Sequence, residues 1–326
     1  VGMEFSFWYD RISGSLTYFN KRTYDLLQPV PLPLSSGHNS VYRNAGEMYN
    51  RGVEAQLDFG ILRLRDLNVN FGINVATVNN KVTKLAHDEK SGKTIPLSNG
   101  AYTNIDEGHT VNEWYLYAYA GVDPTTGLSL YYTDETRTTT TKDFTKAKRQ
   151  WMGSSAIPTL TSGFTFHVDW KGAYLDMSGY LAMGHKIMNP YSADFYNDDA
   201  SHLVKHRGVD GMYGKLWKGV GDTQADLPLT GIGAGQNGVI RNSDHFLRKG
   251  DFFRLRDLTL GYNLPKSWLN RIHFNGSVTV YGQVTNLFTY KFDKKLNYDP
   301  EVPDEGLWEF RNPAMRTYSV GCNINF

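Results

Sequence analysis

His167 and Asp169 stand two residues apart, so on an extended chain an imidazole and a carboxylate fall on one face and within reach of each other. Such a pair begins a general-base arrangement only when a nucleophile or a third partner converges on it. A strand pattern supplies no such partner, so a polar pair is the expected role and no catalytic residue is assigned. Gly231-Ile232-Gly233-Ala234-Gly235 has the glycine content of a phosphate loop. It lacks the Lys-Ser/Thr ending and the strand-then-helix setting, and reads as a flexible loop. Trp114, Tyr115, Tyr117 and Tyr119 could stack on sugar rings or peptide side chains, or pack a long loop against whatever lies beneath it. Tyr191, Phe195 and Tyr196 interleave with Asp194, Asp198 and Asp199; that mixture is awkward to bury and suits a binding rim. The same acids could hold calcium by spacing alone, but no twelve-residue calcium loop is present. No cofactor and no metal site are expected.

The elements around these residues are strands. Glu4 to Asp10, Ser13 to Tyr24, Tyr49 to Gly60, Leu67 to Asn79, Ser162 to Trp170, Ala173 to His185, the run from Phe252, Phe274 to Phe288 and Arg316 to Phe326 all alternate with period two. In the last of these Tyr318, Val320, Cys322, Ile324 and Phe326 share one side. Four segments interrupt the alternation as expected loops: 25–48, 80–158, 186–249 and 289–315. The first carries Pro29, Pro31 and Pro33, which suits extended chain and defeats helix. In the second, Leu116 to Val122 and Leu128 to Tyr132 are expected to pair across the turn Asp123-Pro124-Thr125-Thr126-Gly127.

Composition removes several classes. A net charge of +1 argues against nucleic-acid binding by bulk electrostatics. One cysteine excludes an internal disulfide framework. No run approaches twenty apolar residues, so no helix spans a membrane. A mean hydropathy of −0.46 does not bear on barrels, whose strands are half polar. Tyr is the commonest aromatic and suits interfaces with lipid headgroups or ligands.

Connections that alternate short and long have no rationale in a soluble sandwich. A transmembrane barrel needs them, with tight periplasmic turns and long outer loops. The polar side, including Glu54, Asp58, His167, Asp169 and Asp176, would then face a wet lumen, and Cys322 would face lipid. Nine strands are odd in number and leave two edges open in hydrocarbon, where unpaired backbone groups are costly. The rest of the wall is therefore expected from residues preceding Val1 in a longer polypeptide, or from a separate chain. The alternative is a soluble or surface carbohydrate-binding β-sandwich.

Five stretches carry a family resemblance: NAGEMYNRGVEAQL (Asn44–Leu57), YAGVDPTTGLSLYY (Tyr119–Tyr132), FLRKGDFFRLRDLTLGYNLPK (Phe246–Lys266), VYGQVTNLFTYKFDKKLNYDPEV (Val280–Val302) and the ending RTYSVGCNINF. In this order they resemble the carboxyl-terminal part of SusC/RagA-family TonB-dependent outer membrane transporters of Bacteroidota. The resemblance implies an all-β fold: about nine strands of a large antiparallel transmembrane barrel, 22-stranded when complete, with long extracellular loops. It implies a plug and a TonB box that residues 1–326 do not contain, a SusD-like surface lipoprotein as lid, the TonB complex as energy source, and glycans or peptides as cargo. It further implies that the glycines of Asn44–Gly52 let the backbone turn at the rim, and that Phe326 is the aromatic outer-membrane insertion signal. Trp308 and Phe310, in the last loop, are expected to touch substrate or lid.

Overall fold

A computed structural model describes residues 1–88, 91–192, 214–229, 242–309 and 311–326. The alternating segments form nine long strands: β1 (Gly2–Phe7), β2 (Ile12–Pro31), β3 (Ser40–Arg63), β4 (Leu67–Thr77), β5 (Leu160–Trp170), β6 (Ala173–Met183), β7 (Phe252–Asn263), β8 (Ser277–Lys291) and β9 (Thr317–Asn325). They pair in chain order as one antiparallel meander, and a further strand, Asn79–Lys84, pairs with β3 beside β4. In a meander, alternate connections lie at opposite ends. Residues 8–11, 64–66, 171–172 and 264–276 therefore make one rim, and 32–39, 78–159, 184–251 and 292–316 the other. Lys171 and Gly172 have φ values of 49° and 91°, as a two-residue hairpin turn with the twist of its strands requires. The connection after β7 contains a short helix, Lys266–Arg271.

Period two makes register decisive, because a one-residue slip would exchange the faces. The observed pairing aligns Phe7, Ile12, Phe59, Phe71, Phe166, Met177, Leu258, Val284 and Tyr318 across all nine strands. The adjacent row, on the other face, is Ser6, Ser13, Asp58, Gly72, Thr165, Ser178, Asp257, Thr285 and Thr317. One row has no polar residue except a tyrosine; the other has no apolar side chain.

Three expectations need correction. Segment 25–48 is not a loop: β2 continues to Pro31, β3 begins at Ser40, and Pro29 pairs with Tyr42. Leu32 donates its N–H to Asn39 across this hairpin at 3.0 Å. Even-numbered residues thus aim their N–H at β3, and Pro29 and Pro31 occupy positions whose missing donor would point away from the ladder, where proline is tolerated. The glycines of Asn44–Gly52 do not turn the chain either, since the whole stretch lies within β3. They make room: a Cβ on Gly52 would meet the Thr77 carbonyl oxygen and one on Gly46 the Leu26 side chain. The expected Leu116–Val122 strand divides. Glu113–Tyr117 pairs with Arg149–Ser155, and only Tyr119–Val122 pairs with Ser129–Tyr132 across the Asp-Pro turn.

Among the described residues the hydrophobic core gathers off the sheet, with single buried residues such as Phe252 and Leu255 on β7. Its main cluster joins Trp114, Leu116 and Ala156 of the first long connection to Met188, Leu227 and Phe246 of the second, with Leu307 of the third packed against it. A second cluster joins Ile187 to Leu296 and Tyr298, with Trp308 alongside. The long connections fold together as a cap on one rim. Gly306, at φ 74°, sits where a Cβ would strike Trp114 and Ala156.

Candidate functional site

Two regions gather functional side chains: the polar sheet face and the cap. On the polar face β5 and β6 place His167 opposite Asp176, and the period of β5 adds Asp169. His167 Nδ1 lies 2.5 Å from Asp176 Oδ1, and Nε2 lies 2.6 Å from Asp169 Oδ2. With a carboxylate on each nitrogen, the ring has no free position to take a proton from a substrate. The third partner comes from the neighbouring strand, so the sequence shows the residue but not the meeting. Asp58 lies nearby and accepts from Gln56 at 3.1 Å. Asp58, Asn70, Thr165 and His167 line a shallow cavity of about 270 Å³. Glu54 shares this face two residues before Gln56. Among the described residues no group of three or more His, Cys, Asp or Glu is placed to hold a metal ion.

In the cap, alternation along Glu113–Tyr117 turns Trp114 and Leu116 into the core and Tyr115 and Tyr117 to the other side. Trp114 is 0% exposed and donates from Nε1 to the Lys186 carbonyl at 3.1 Å. That leaves no face of its ring for a ligand, so Trp114 is a packing residue. Tyr115 and Tyr117 are half-buried. Tyr115 leans on Trp151, which stacks on His109, and Tyr117 contacts Phe144 and the Arg149 guanidinium. Tyr119 donates its N–H to Asp244 Oδ1 at 2.8 Å. Burial raises the Asp244 carboxyl above its usual range, against the lowering effect of that N–H, Arg137 and Lys186. Trp308 is half-buried and packs on Tyr298 at 5.5 Å. Tyr191 is half-buried beside Ser192, which borders a cavity of about 420 Å³ between the second and third long connections. Asp194, Phe195, Tyr196, Asp198, Asp199, the 231–235 glycines and Phe310 lie outside the described residues.

The cap is tied to the sheet by a group absent from the expectations. Arg254, on β7 and 2% exposed, donates Nη2 to Asp299 (2.6 Å), Nη1 to Glu301 (2.5 Å) and Nε to Thr289 (2.9 Å). Arg256 adds a bond to Glu301 at 2.7 Å. Burial opposes the Asp299 charge, yet the N–H groups of Glu301 and Ala314 and the Arg254 guanidinium outweigh it and hold this carboxyl below its ordinary range. A charged residue on a strand is a visible signal that a partner exists; which acid it meets some forty residues on is not.

The family described as TonB dependent receptor-like, beta-barrel matches residues 1–287. The chain belongs to that family. Its relatives among TonB-dependent receptors include receptor P3 of Formosa agariphila, 23% identical over 355 residues, covering all of this chain and 33% of the relative. Receptor SusC of Bacteroides thetaiotaomicron is 23% identical over 334 residues, covering all of this chain and 31% of the relative. The RagAB peptide importer in its open-open state matches the whole chain and 34% of its own with TM-score 0.85 and 27% identity. A further RagAB peptide transporter structure gives 0.79 and 25%. Within that β-barrel family, the likeness is to SusC and to the RagAB structures. The chain spans about a third of the length of the receptors it matches.

Proposed function

We propose that these residues form the carboxyl-terminal wall and outer cap of a transporter that imports oligosaccharides or peptides through the outer membrane, with a SusD-like lipoprotein as lid and energy from TonB. The observation that carries the reading is the pair of uniform rows. A sandwich buries its apolar sheet face beneath a second sheet, whereas here Val320 is 92% exposed and the buried core lies in the cap. Lipid supplies the missing cover. Strand length agrees: the 11 residues of β5, at about 3.4 Å each and tilted by about 40°, cross roughly 29 Å, enough for the ~25 Å apolar band of such barrels. Aromatics cluster at the tight-turn rim, where Trp8, Tyr9, Trp170 and Trp268 are exposed and Phe326 packs edge-on against Phe274 at 5.6 Å. Such girdles mark headgroup level.

In this reading Glu54, Asp58, His167, Asp169 and Asp176 face the lumen. Other strands of the longer protein close the wall around a plug. The cap stands outside the cell, where Tyr115, Tyr117, Tyr191 and Trp308 are positioned for cargo or lid, and Phe326 serves barrel insertion. The test is uptake by cells carrying the full-length gene as sole transporter of its cargo. Import should cease when TonB is deleted or the proton gradient collapsed; import that persists under both treatments overturns the proposal.

A further inference from the structure

Resting on the transporter reading, we propose that the lipid-facing side of β2 and β3 carries, at its outer end, a site for the phosphate monoester of an outer-leaflet glycolipid. Along most of the wall this face stays apolar to its outer end, with Leu160 on β5, Phe253 on β7 and Tyr290 on β8. On β2 and β3 it changes. Leu16 and Tyr18 are followed on the same side by Asn20 and Arg22, and Ala55 and Val53 by Arg51 and Tyr49. The register sets Asn20 opposite Arg51 and Arg22 opposite Tyr49, and the strand Asn79–Lys84 brings Lys81 opposite Tyr49 from the other side. Ladder partners share a face, and neighbouring strands lie about 4.8 Å apart, so the three cations gather around one tyrosine. Arg22, Arg51 and Lys81 are all exposed. Their height fits as well. Arg22, ten residues beyond Ile12, stands roughly 26 Å above the tight-turn rim at about 3.4 Å per residue and a tilt of about 40°, just past the ~25 Å apolar band.

The charges select the ligand. Among the described residues none of the three cations forms an ion pair, and the nearby Glu47 is engaged by Lys84 at 3.7 Å. The Arg51 guanidinium rests 4.7 Å from the centre of the Tyr49 ring, which holds it along the sheet surface. A zwitterionic phosphodiester brings one negative charge and an ammonium that these cations repel. A phosphate monoester brings a charge of about −1.5 to −2 and three acceptor oxygens, which guanidinium forks take in paired hydrogen bonds. Beneath the patch Leu16, Tyr18 and Val53 expose apolar surface along which acyl chains can lie. Asn20, beside Arg51, offers an amide to a sugar hydroxyl. Phosphate, sugar and acyl chain together describe a phosphorylated glycolipid such as lipid A.

The experiment is native mass spectrometry of the full-length transporter with its lid protein, titrated in detergent. The probes are monophosphoryl lipid A, the same lipid stripped of its phosphate, and phosphatidylethanolamine. The phosphorylated glycolipid should bind at least about ten-fold more tightly than either of the others. Arg22→Gln, Arg51→Gln and Lys81→Gln together should remove that preference, while Lys171→Gln, at the opposite rim, should leave it intact. Arg51→Lys, which keeps the charge, should retain most of it. Equal binding of the two forms of lipid A, equally tight phosphatidylethanolamine, an unchanged preference in the triple variant, or loss of the lid protein rather than of lipid from that variant overturns the inference. The comparison of probes on the unaltered protein decides the matter even if the triple variant fails to insert. TonB-dependent uptake by a protein with no preference for the phosphorylated lipid would leave the transporter reading standing while removing this one.

Discussion

Arg254 meets Asp299 at 2.6 Å, joining a sheet strand to the last long connection through a guanidinium that is almost wholly shielded from water. Breaking a buried pair from one side strands the other charge at a cost of about 3–5 kcal/mol. Arg254→Ala should therefore release residues 292–316, read as rapid proteolytic cleavage there in the purified full-length protein. Arg254→Lys should rescue little, because an ammonium cannot bridge Asp299, Glu301 and Thr289 as the planar fork does. Resistance equal to the parent in both variants would contradict the role assigned to Arg254.

Gly306 fixes how closely the third connection approaches the first. Gly306→Ala must accept φ 74° and a Cβ within 2.7 Å of Trp114 Cζ2. Both terms destabilise, by about 1–3 kcal/mol together. Amide exchange should rise along Glu113–Tyr117 and around Met188, with the sheet strands unaffected.

The cap should loosen in mild acid. His245, pushed down by burial, has a folded-state pKa of about 4, below the ~6.5 of an unfolded histidine. Below pH 6.5 the unfolded chain takes up a proton that the folded His245 refuses, so this residue's contribution to stability falls as pH drops from 6.5 toward 4, with the raised Asp244 carboxyl acting in the opposite sense. Asp299, with its carboxyl held low, adds a second loss only once the pH falls below the ordinary carboxylate range. Exchange at residues 243–248 followed from pH 7.5 to 5 should show the first step, and His245→Gln should abolish it.

Deleting Ile187 to Asp244 removes Met188 and Leu227 from the core. Cells dependent on the transporter should lose uptake of the cargo while still inserting the barrel. Unchanged uptake would make the cap a passive cover. Residues 1–326 expressed alone should likewise give no heat-modifiable band, because β1 and β9 leave two sheet edges unpaired.

The wall was legible because a strand states its facing directly: Phe164, Phe166 and Val168 against Thr165 and His167 need no knowledge of the neighbour. The neighbours then follow from chain order. The β2–β3 extension was not legible, since three alternate prolines look the same in a loop as on the unbonded side of a ribbon. The cap was hidden for a different reason. Trp114 meets Phe246 and Met188 across long stretches of irregular chain, with no period to register them. The aromatics therefore fitted a platform and loop packing alike, and the innermost of them is core.

The central claim is that the row through Phe166, Met177, Leu258 and Val284 touches lipid while the row through Thr165, Ser178, Asp257 and Thr285 touches water. Nitroxide labels placed singly at Leu258, Thr259, Val284 and Thr285 of the full-length protein, in a Cys322→Ala background and reconstituted in bilayers, test it directly. Collisions with oxygen should dominate at 258 and 284, and collisions with a water-soluble nickel chelate at 259 and 285. Equal accessibility at neighbouring positions, or the opposite alternation, would contradict the account.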